Sequence, residues 1–223
     1  MTAIIRNFVV FEGGDGSGTS TQLALLQRRF RGDSTGLIFH PTCEPTGGPV
    51  GALIRSALKK EITLHPLTLA RLFAADRAEH LYGPGGVIER CGRGGLVVSD
   101  RYALSSLVYQ GIECGDELPQ TLNAPFPAPE LLLFFDIDPQ TACGRLKNRP
   151  VLELYEHLEF QQKVREKYLS LIGEYQKSGC RVEIINASKT REEVAAGVWR
   201  ALLKMPILKA ESGGSGQTAE QIR

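Results

Sequence analysis

Apolar positions recur along the chain in two rhythms. Phe8–Phe11 is a short continuous apolar run, the pattern of a buried strand. Leu37–His40, Leu96–Ser99, Leu131–Asp136 and Arg181–Ile185 predict four more strands. Between them the spacing turns helical. Gln22–Phe30 sets Leu23, Leu26 and Phe30 on one face, and Pro66–Leu81 opens on a proline suited to a first turn. Pro139–Asn148, Leu158–Gln176 and Arg191–Lys204 complete the predicted helices. Strands that alternate with helices imply a doubly wound α/β fold: a five-stranded parallel sheet flanked by helices. Strands rich in Val, Ile, Leu and Phe suit a sheet covered on both faces.

The same pattern sets expectations for the remainder. Glu113–Pro129, rich in proline and polar residues, reads as a surface connection. Residues 1–207 are expected to form one domain, and 208–223 a disordered tail that is Gly/Ser-rich from Ser212 onward. Tyr168, Leu171 and Tyr175 form a helical stripe, read as core or as part of a dimer contact.

Composition narrows the function classes. Of 223 residues, 42% are hydrophobic and 23% charged, ordinary for a globular protein. The net charge of +1 lacks the basic excess of a duplex nucleic-acid binder, so no nucleic-acid partner is expected. A small phosphorylated substrate needs only local positive charge and remains allowed. The 5 cysteines form no CxxC pair, and the 4 histidines are widely spaced, so no zinc or redox motif emerges. Reduced thiols in a cytoplasmic protein are the simplest reading. The first apolar run is too short for a signal peptide, and no segment approaches the roughly 20 apolar residues of a membrane span.

The chemistry begins where the first strand ends. Gly13-Gly14-Asp15-Gly16-Ser17-Gly18-Thr19-Ser20-Thr21 lies between a strand and a helix, the setting of the phosphate loop GxxxxGK[ST]. Glycines let backbone amides turn toward phosphate oxygens, and the helix N-terminus adds partial positive charge. Ser20 fits the hydroxyl position on Mg²⁺. The lysine position holds Thr19. A neutral hydroxyl replaces an ammonium there, exchanging about 1.5–3 kcal/mol for about 1.

Asp100-Arg101 follows the third strand, at the sheet edge where open α/β sheets bind ligands. Arg101 can grip a phosphate bidentately, while Asp100 orients it or holds Mg²⁺ through water. The alternative is a buried structural ion pair. Phe73 and Arg77, four apart, share a helix face: a ring to stack on a base and a guanidinium for its edge, or plain core. Arg145, Lys147, Arg149, Glu153 and Glu156 read as a lid near 145–157, or as a solvated helix end.

Several motifs in order resemble the thymidylate kinases, nucleoside monophosphate kinases with a P-loop. They are FEGGDGSG from Phe11, Glu44-Pro45-Thr46 with Ile54-Arg55, Phe73-Ala74-Ala75-Asp76-Arg77, Asp100-Arg101-Tyr102 with Ser105-Ser106 and Tyr109-Gln110-Gly111, Phe135–Pro139, and Glu153–Glu156 with Val164-Arg165 and Tyr168. The likeness covers about residues 5–205. It implies a short lid, ATP and dTMP as substrates, Mg²⁺, and a homodimer. It implies catalytic roles for Asp15, Arg101, Arg145 and Arg149, with residues 13–21 on ATP. Glu44, Phe73, Arg77, Arg101, Ser105, Ser106, Tyr109, Gln110, Tyr155 and Glu156 are implied on the acceptor, Tyr109 near the sugar 2′ position. Ser105 and Ser106 also suit a helix cap. The family's arginine before Glu-Pro is Cys43 here, which shifts acceptor grip to Arg101 and Arg55. With Thr19 in place, a lid arginine is expected to supply the missing charge. A weakly active nucleotide-binding homologue, or a kinase for another base, is the alternative.

Overall fold

The computed structural model describes residues 3–32, 36–146, 155, 157–177 and 179–212, with side chains through 209. Strands β1 (Ile4–Gly13), β2 (Phe39–Cys43), β3 (Leu96–Asp100), β4 (Ala128–Asp136) and β5 (Arg181–Asn186) form one parallel sheet in the order β2-β3-β1-β4-β5. The expected α/β class and strand count hold. Register aligns Phe11 with Asp100, Cys43 with Asp100, and Gly13 with Phe135. The carboxyl ends of β1, β2, β3 and β4 therefore come out along one edge.

Alternation along β1 explains the layers. Val9 and Phe11 face one side, where Leu26 and Phe30 of α1 (Thr19–Arg31) and Val194 and Val198 of α9 (Arg191–Leu202) pack. Phe8 and Val10 face the other, against Leu81 and Tyr102. That side also carries α2 (Pro49–Leu58), α3 (Pro66–Tyr82), α5 (Ala103–Cys114) and α8 (Leu158–Lys177), with Ile54, Leu104, Val108 and Tyr168 buried beneath them. Tyr168 is thus core. α4 (Val87–Gly92) precedes β3, and α7 (Pro139–Leu146) follows β4.

Three expectations change. β2 runs over Phe39–Cys43 rather than 37–40, since its ladder to β3 is set by pairing and not by apolar content. The stretch 113–129 is not all surface connection: it holds α6 (Glu117–Asn123), with Pro119 in its first turn, and then the start of β4. Proline costs nothing where an amide has no helical partner, so the proline signal misled. The tail boundary also moves. α10 (Pro206–Ser212) continues past 207, and Leu208 is buried against the α9 side. Most of the expected lid, including Lys147, Arg149, Glu153 and Glu156, lies outside the described residues.

Candidate active site

The phosphate loop leaves β1 at Gly13 and enters α1 at Thr19. Gly16 and Gly18 adopt φ 83° and 92°, the left-handed region that glycine tolerates. A Cβ on Gly16 would come within 2.5 Å of the Ala142 carbonyl, so the loop lies directly against α7. Gly18 stands at the N-cap of α1 without a capping side chain, and the helix has no acid in its first turn. Its first turn borders a cavity of about 710 Å³. Gly14, Asp15, Gly16, Ser17, Gly18, Thr19, Ser20 and Thr21 line that cavity, with Asp100, Arg101 and Arg145.

Ser20 and Asp100 meet there. The Ser20 hydroxyl donates to Asp100 Oδ2 at 2.5 Å, while the buried Asp100 Oδ1 has no partner among the described residues. A hydroxyl and a carboxylate with one unpartnered oxygen are hard oxygen donors, and they fit a magnesium ion that keeps most of its waters.

A second cavity of about 130 Å³ opens beside the first. Phe73, Arg77, Ser105, Ser106, Tyr109, Gln110 and Tyr155 line it, and Asp15, Glu44 and Arg101 border both cavities. Apart from Arg55, the described residues expected on the acceptor thus converge on one small space.

Arg77 is tied down inside that wall. One terminal nitrogen donates to Glu44 at 2.7 Å and Ser106 at 3.1 Å, and the other to Asn123. Its buried Nε has no partner among the described residues. Glu44 also accepts from His80, whose other ring nitrogen meets Thr42 at 2.8 Å. His80 is therefore a polar core residue.

Arg101 sits at the junction. Its guanidinium donates to Asp15 at 2.5 Å, to the Gly13 carbonyl at 3.0 Å and to Ser105 at 3.2 Å. Its Cζ lies 5.1 Å from the Tyr109 ring centroid. The Gln161 amide clamps Asp15 from α8, taking its N–H at 3.0 Å and giving to its carboxylate at 2.8 Å.

Arg55 departs from expectation. It lines neither cavity and donates to the carbonyls of Pro45 and Thr46, so it braces the turn after β2. Cys43 borders the larger cavity, and burial pushes its thiol up, away from a nucleophilic thiolate. Arg145 donates to the Ala187 carbonyl at 3.0 Å and reaches the larger cavity, where Lys189 and Arg191 add positive charge from the β5–α9 turn.

Sequence reasoning passed over Gln161 and Glu12. Both left a signal. Gln161 lies on the same helical stripe as Val164 and Tyr168, a polar residue on a buried face. Glu12 is an acid inside an apolar strand.

Comparison with known proteins agrees with this geometry. A family model described as thymidylate kinase matches residues 11–198. A relative named as a thymidylate kinase in Treponema pallidum (strain Nichols) is 46% identical over 166 residues, covering 74% of this chain and 78% of its own. A counterpart in Pyrobaculum aerophilum is 38% identical, covering 86% and 93%, and one in Methanococcus aeolicus is 35% identical, covering 92% and 100%. The chain belongs to the thymidylate kinase family of phosphotransferases.

Proposed function

We propose that the protein transfers the γ-phosphoryl group of ATP to dTMP, with Mg²⁺, giving ADP and dTDP for dTTP synthesis. The observation that carries this reading is the meeting of two cavities at Asp15 and Arg101. The larger one, behind the phosphate loop, suits a nucleoside triphosphate. The smaller, walled by Phe73 and Arg77, suits a nucleoside monophosphate.

Roles follow from position. Loop amides and the α1 N-terminus hold donor phosphates. Ser20 and Asp100 would hold the metal, directly or through water, and magnesium bound there would neutralise charge that develops on the transferred phosphoryl group. Asp15 and Gln161 fix the Arg101 fork, which takes the acceptor phosphate. Phe73 stacks on the base, and the free Arg77 Nε–H suits a carbonyl oxygen on its edge. Tyr109 stands under the sugar and disfavours a ribose. Arg145 supplies charge to the donor that Thr19 does not, and the resemblance adds Arg149, which lies outside the described residues. Glu44, Gln110 and Tyr155 complete the acceptor wall, and the resemblance adds Glu156, which lies outside the described residues. The reading includes a cytoplasmic homodimer. Leu53 and Leu67, exposed at 42% and 39% on neighbouring α2 and α3, support a contact between copies, which sedimentation tests.

The deciding assay is dTMP-dependent ADP formation from Mg²⁺-ATP by the purified protein. Turnover that favours UMP or AMP overturns the choice of base. Thr19 and Cys43 favour a second reading, a nucleotide-binding homologue without catalysis. Binding of dTMP without turnover would establish that reading instead.

A further inference from the structure

Glu12 is fully buried at the end of β1 and borders neither cavity. Its carboxylate is nevertheless fully engaged. Oε1 accepts the Tyr102 amide at 2.9 Å and the Ser105 amide at 3.2 Å. Oε2 accepts the Ser105 hydroxyl at 2.6 Å and the Tyr168 hydroxyl at 2.8 Å. The amides of Tyr102 and Ser105 open α5, so an acid on β1 caps that helix from outside.

Arg101 lies directly before that helix and is held against its preference. Its φ of 74° is left-handed, which costs a residue with a Cβ about 1 kcal/mol or more. Three bonds fix this turn: Arg101 N–H to Phe11 O at 2.8 Å, the Ser99 hydroxyl to Arg101 O at 2.7 Å, and Tyr102 N–H to Glu12. Ser105 adds a side-chain link, accepting from Arg101 while donating to Glu12.

We propose that Glu12 is a positioning residue for Arg101, acting through Ser105 and the Tyr102 amide, and that an acceptor phosphate on Arg101 draws a proton onto Glu12. The proposal deepens the acceptor reading and rests on Arg101 being the acceptor ligand.

The surroundings give the sign. Arg101, from the β3–α5 turn, is the cation that favours the Glu12 carboxylate. Asp15 already draws on that guanidinium from the other side. From α8 come the neutral Tyr168 and Tyr175, and β4 pairs Phe134 with Glu12. Burial pushes the Glu12 carboxyl up to about 7, against the help of Ser105, Arg101 and Tyr168. A phosphate dianion on Arg101 cancels part of that help, so Glu12 takes a proton from solvent. No bond is lost. Protonated Oε2 donates to Ser105 or Tyr168, and Ser105 Oγ still accepts from Arg101.

The test is titration calorimetry of dTMP, at pH values from about 6 to 8.5 and in buffers of different ionisation enthalpy. Wild type, Glu12→Gln, Tyr168→Phe and Arg101→Ala are compared. The second ionisation of dTMP is common to all, so differences between proteins isolate Glu12. Near pH 7 the wild type should take up a fraction of a proton more than Glu12→Gln. Its affinity relative to that variant should fall severalfold as pH rises through about 7. Tyr168→Phe removes a bond that favours the carboxylate, so the midpoint should move to higher pH, which a purely structural Glu12 would not produce. Equal proton uptake and parallel profiles in wild type and Glu12→Gln overturn the proposal. Unchanged dTMP affinity in Arg101→Ala overturns the acceptor reading instead. If Glu12→Gln does not fold, an unmoved midpoint in Tyr168→Phe overturns the proposal by itself.

Discussion

The Asp15 carboxylate and the Arg101 guanidinium meet at 2.5 Å, and both border the two cavities. A loop residue and a strand-end residue thereby set one hydrogen-bonding fork between the two cavities. Lysine cannot reproduce a fork that serves Asp15, Gly13 and Ser105 together. Arg101→Lys should raise the KM for dTMP and lower kcat/KM by about 100-fold, equivalent to about 2.7 kcal/mol, while the KM for ATP changes little. Steady-state kinetics with each substrate varied is the check, and an unchanged dTMP KM removes Arg101 from the acceptor site.

Thr19 lines the larger cavity at the first position of α1. Thr19→Lys restores an ammonium there and should raise kcat by roughly tenfold, the difference between a charged and a neutral hydrogen bond. Arg145→Ala should cost more in the native background than in Thr19→Lys, because the two charges overlap. Equal losses of kcat in both backgrounds would separate Arg145 from the missing lysine.

Ser20 and Asp100 share one hydrogen bond, and Asp100 keeps an oxygen without a partner among the described residues. Ser20→Ala should lower kcat by about 10- to 100-fold and raise the Mg²⁺ concentration needed for half-maximal rate. A Mg²⁺ titration of activity at fixed ATP decides this.

Arg77 and Glu44 form an ion pair whose side chains are 1% and 3% exposed. Arg77→Met leaves Glu44 buried with His80 as its remaining partner, and should destabilise the protein by about 3–5 kcal/mol in urea unfolding. Adding Glu44→Gln should recover part of that loss, since the stranded charge is removed.

The Glu12 carboxyl titrates near 7 when folded against 4.5 when unfolded. Between those values the folded protein holds a proton that the unfolded chain has lost. The contribution is full below pH 4.5 and declines as pH rises through about 7, by roughly 3 kcal/mol in all. Stability of Glu12→Gln relative to wild type should therefore improve with rising pH over that window. Parallel stability curves would contradict the buried carboxyl's assignment.

Much of this arrangement was legible because it rests on local rules. The apolar run at Phe8–Phe11, the glycines after it and the helical spacing from Leu23 to Phe30 are each set by neighbours in sequence. Asp100 and Arg101 were legible because a strand end in a parallel sheet is a place for ligands. What escaped was set by contacts across the chain. Gln161 reaches Asp15 over 146 positions, and Glu12 reaches Tyr168 over 156, and no short-range pattern encodes either. Arg55 misled for a similar reason. A free guanidinium in a familiar motif suggests a phosphate, and only the turn at Pro45 and Thr46 reveals what it binds. α6 was hidden by prolines that its first turn accommodates.

Helix α1 starts behind Gly18, an N-cap that brings no side chain to close its first turn. The amides that open it gain their best partners from phosphate oxygens. Anything that binds the folded chain and not the unfolded one adds RT ln(1 + [L]/Kd) to its stability. A nucleotide bound there would in this sense be a component of the fold as well as a reactant. The protein's resistance to heat and proteolysis should therefore rise and fall with the nucleotide pool, tying how long each copy lasts to how much substrate there is to use.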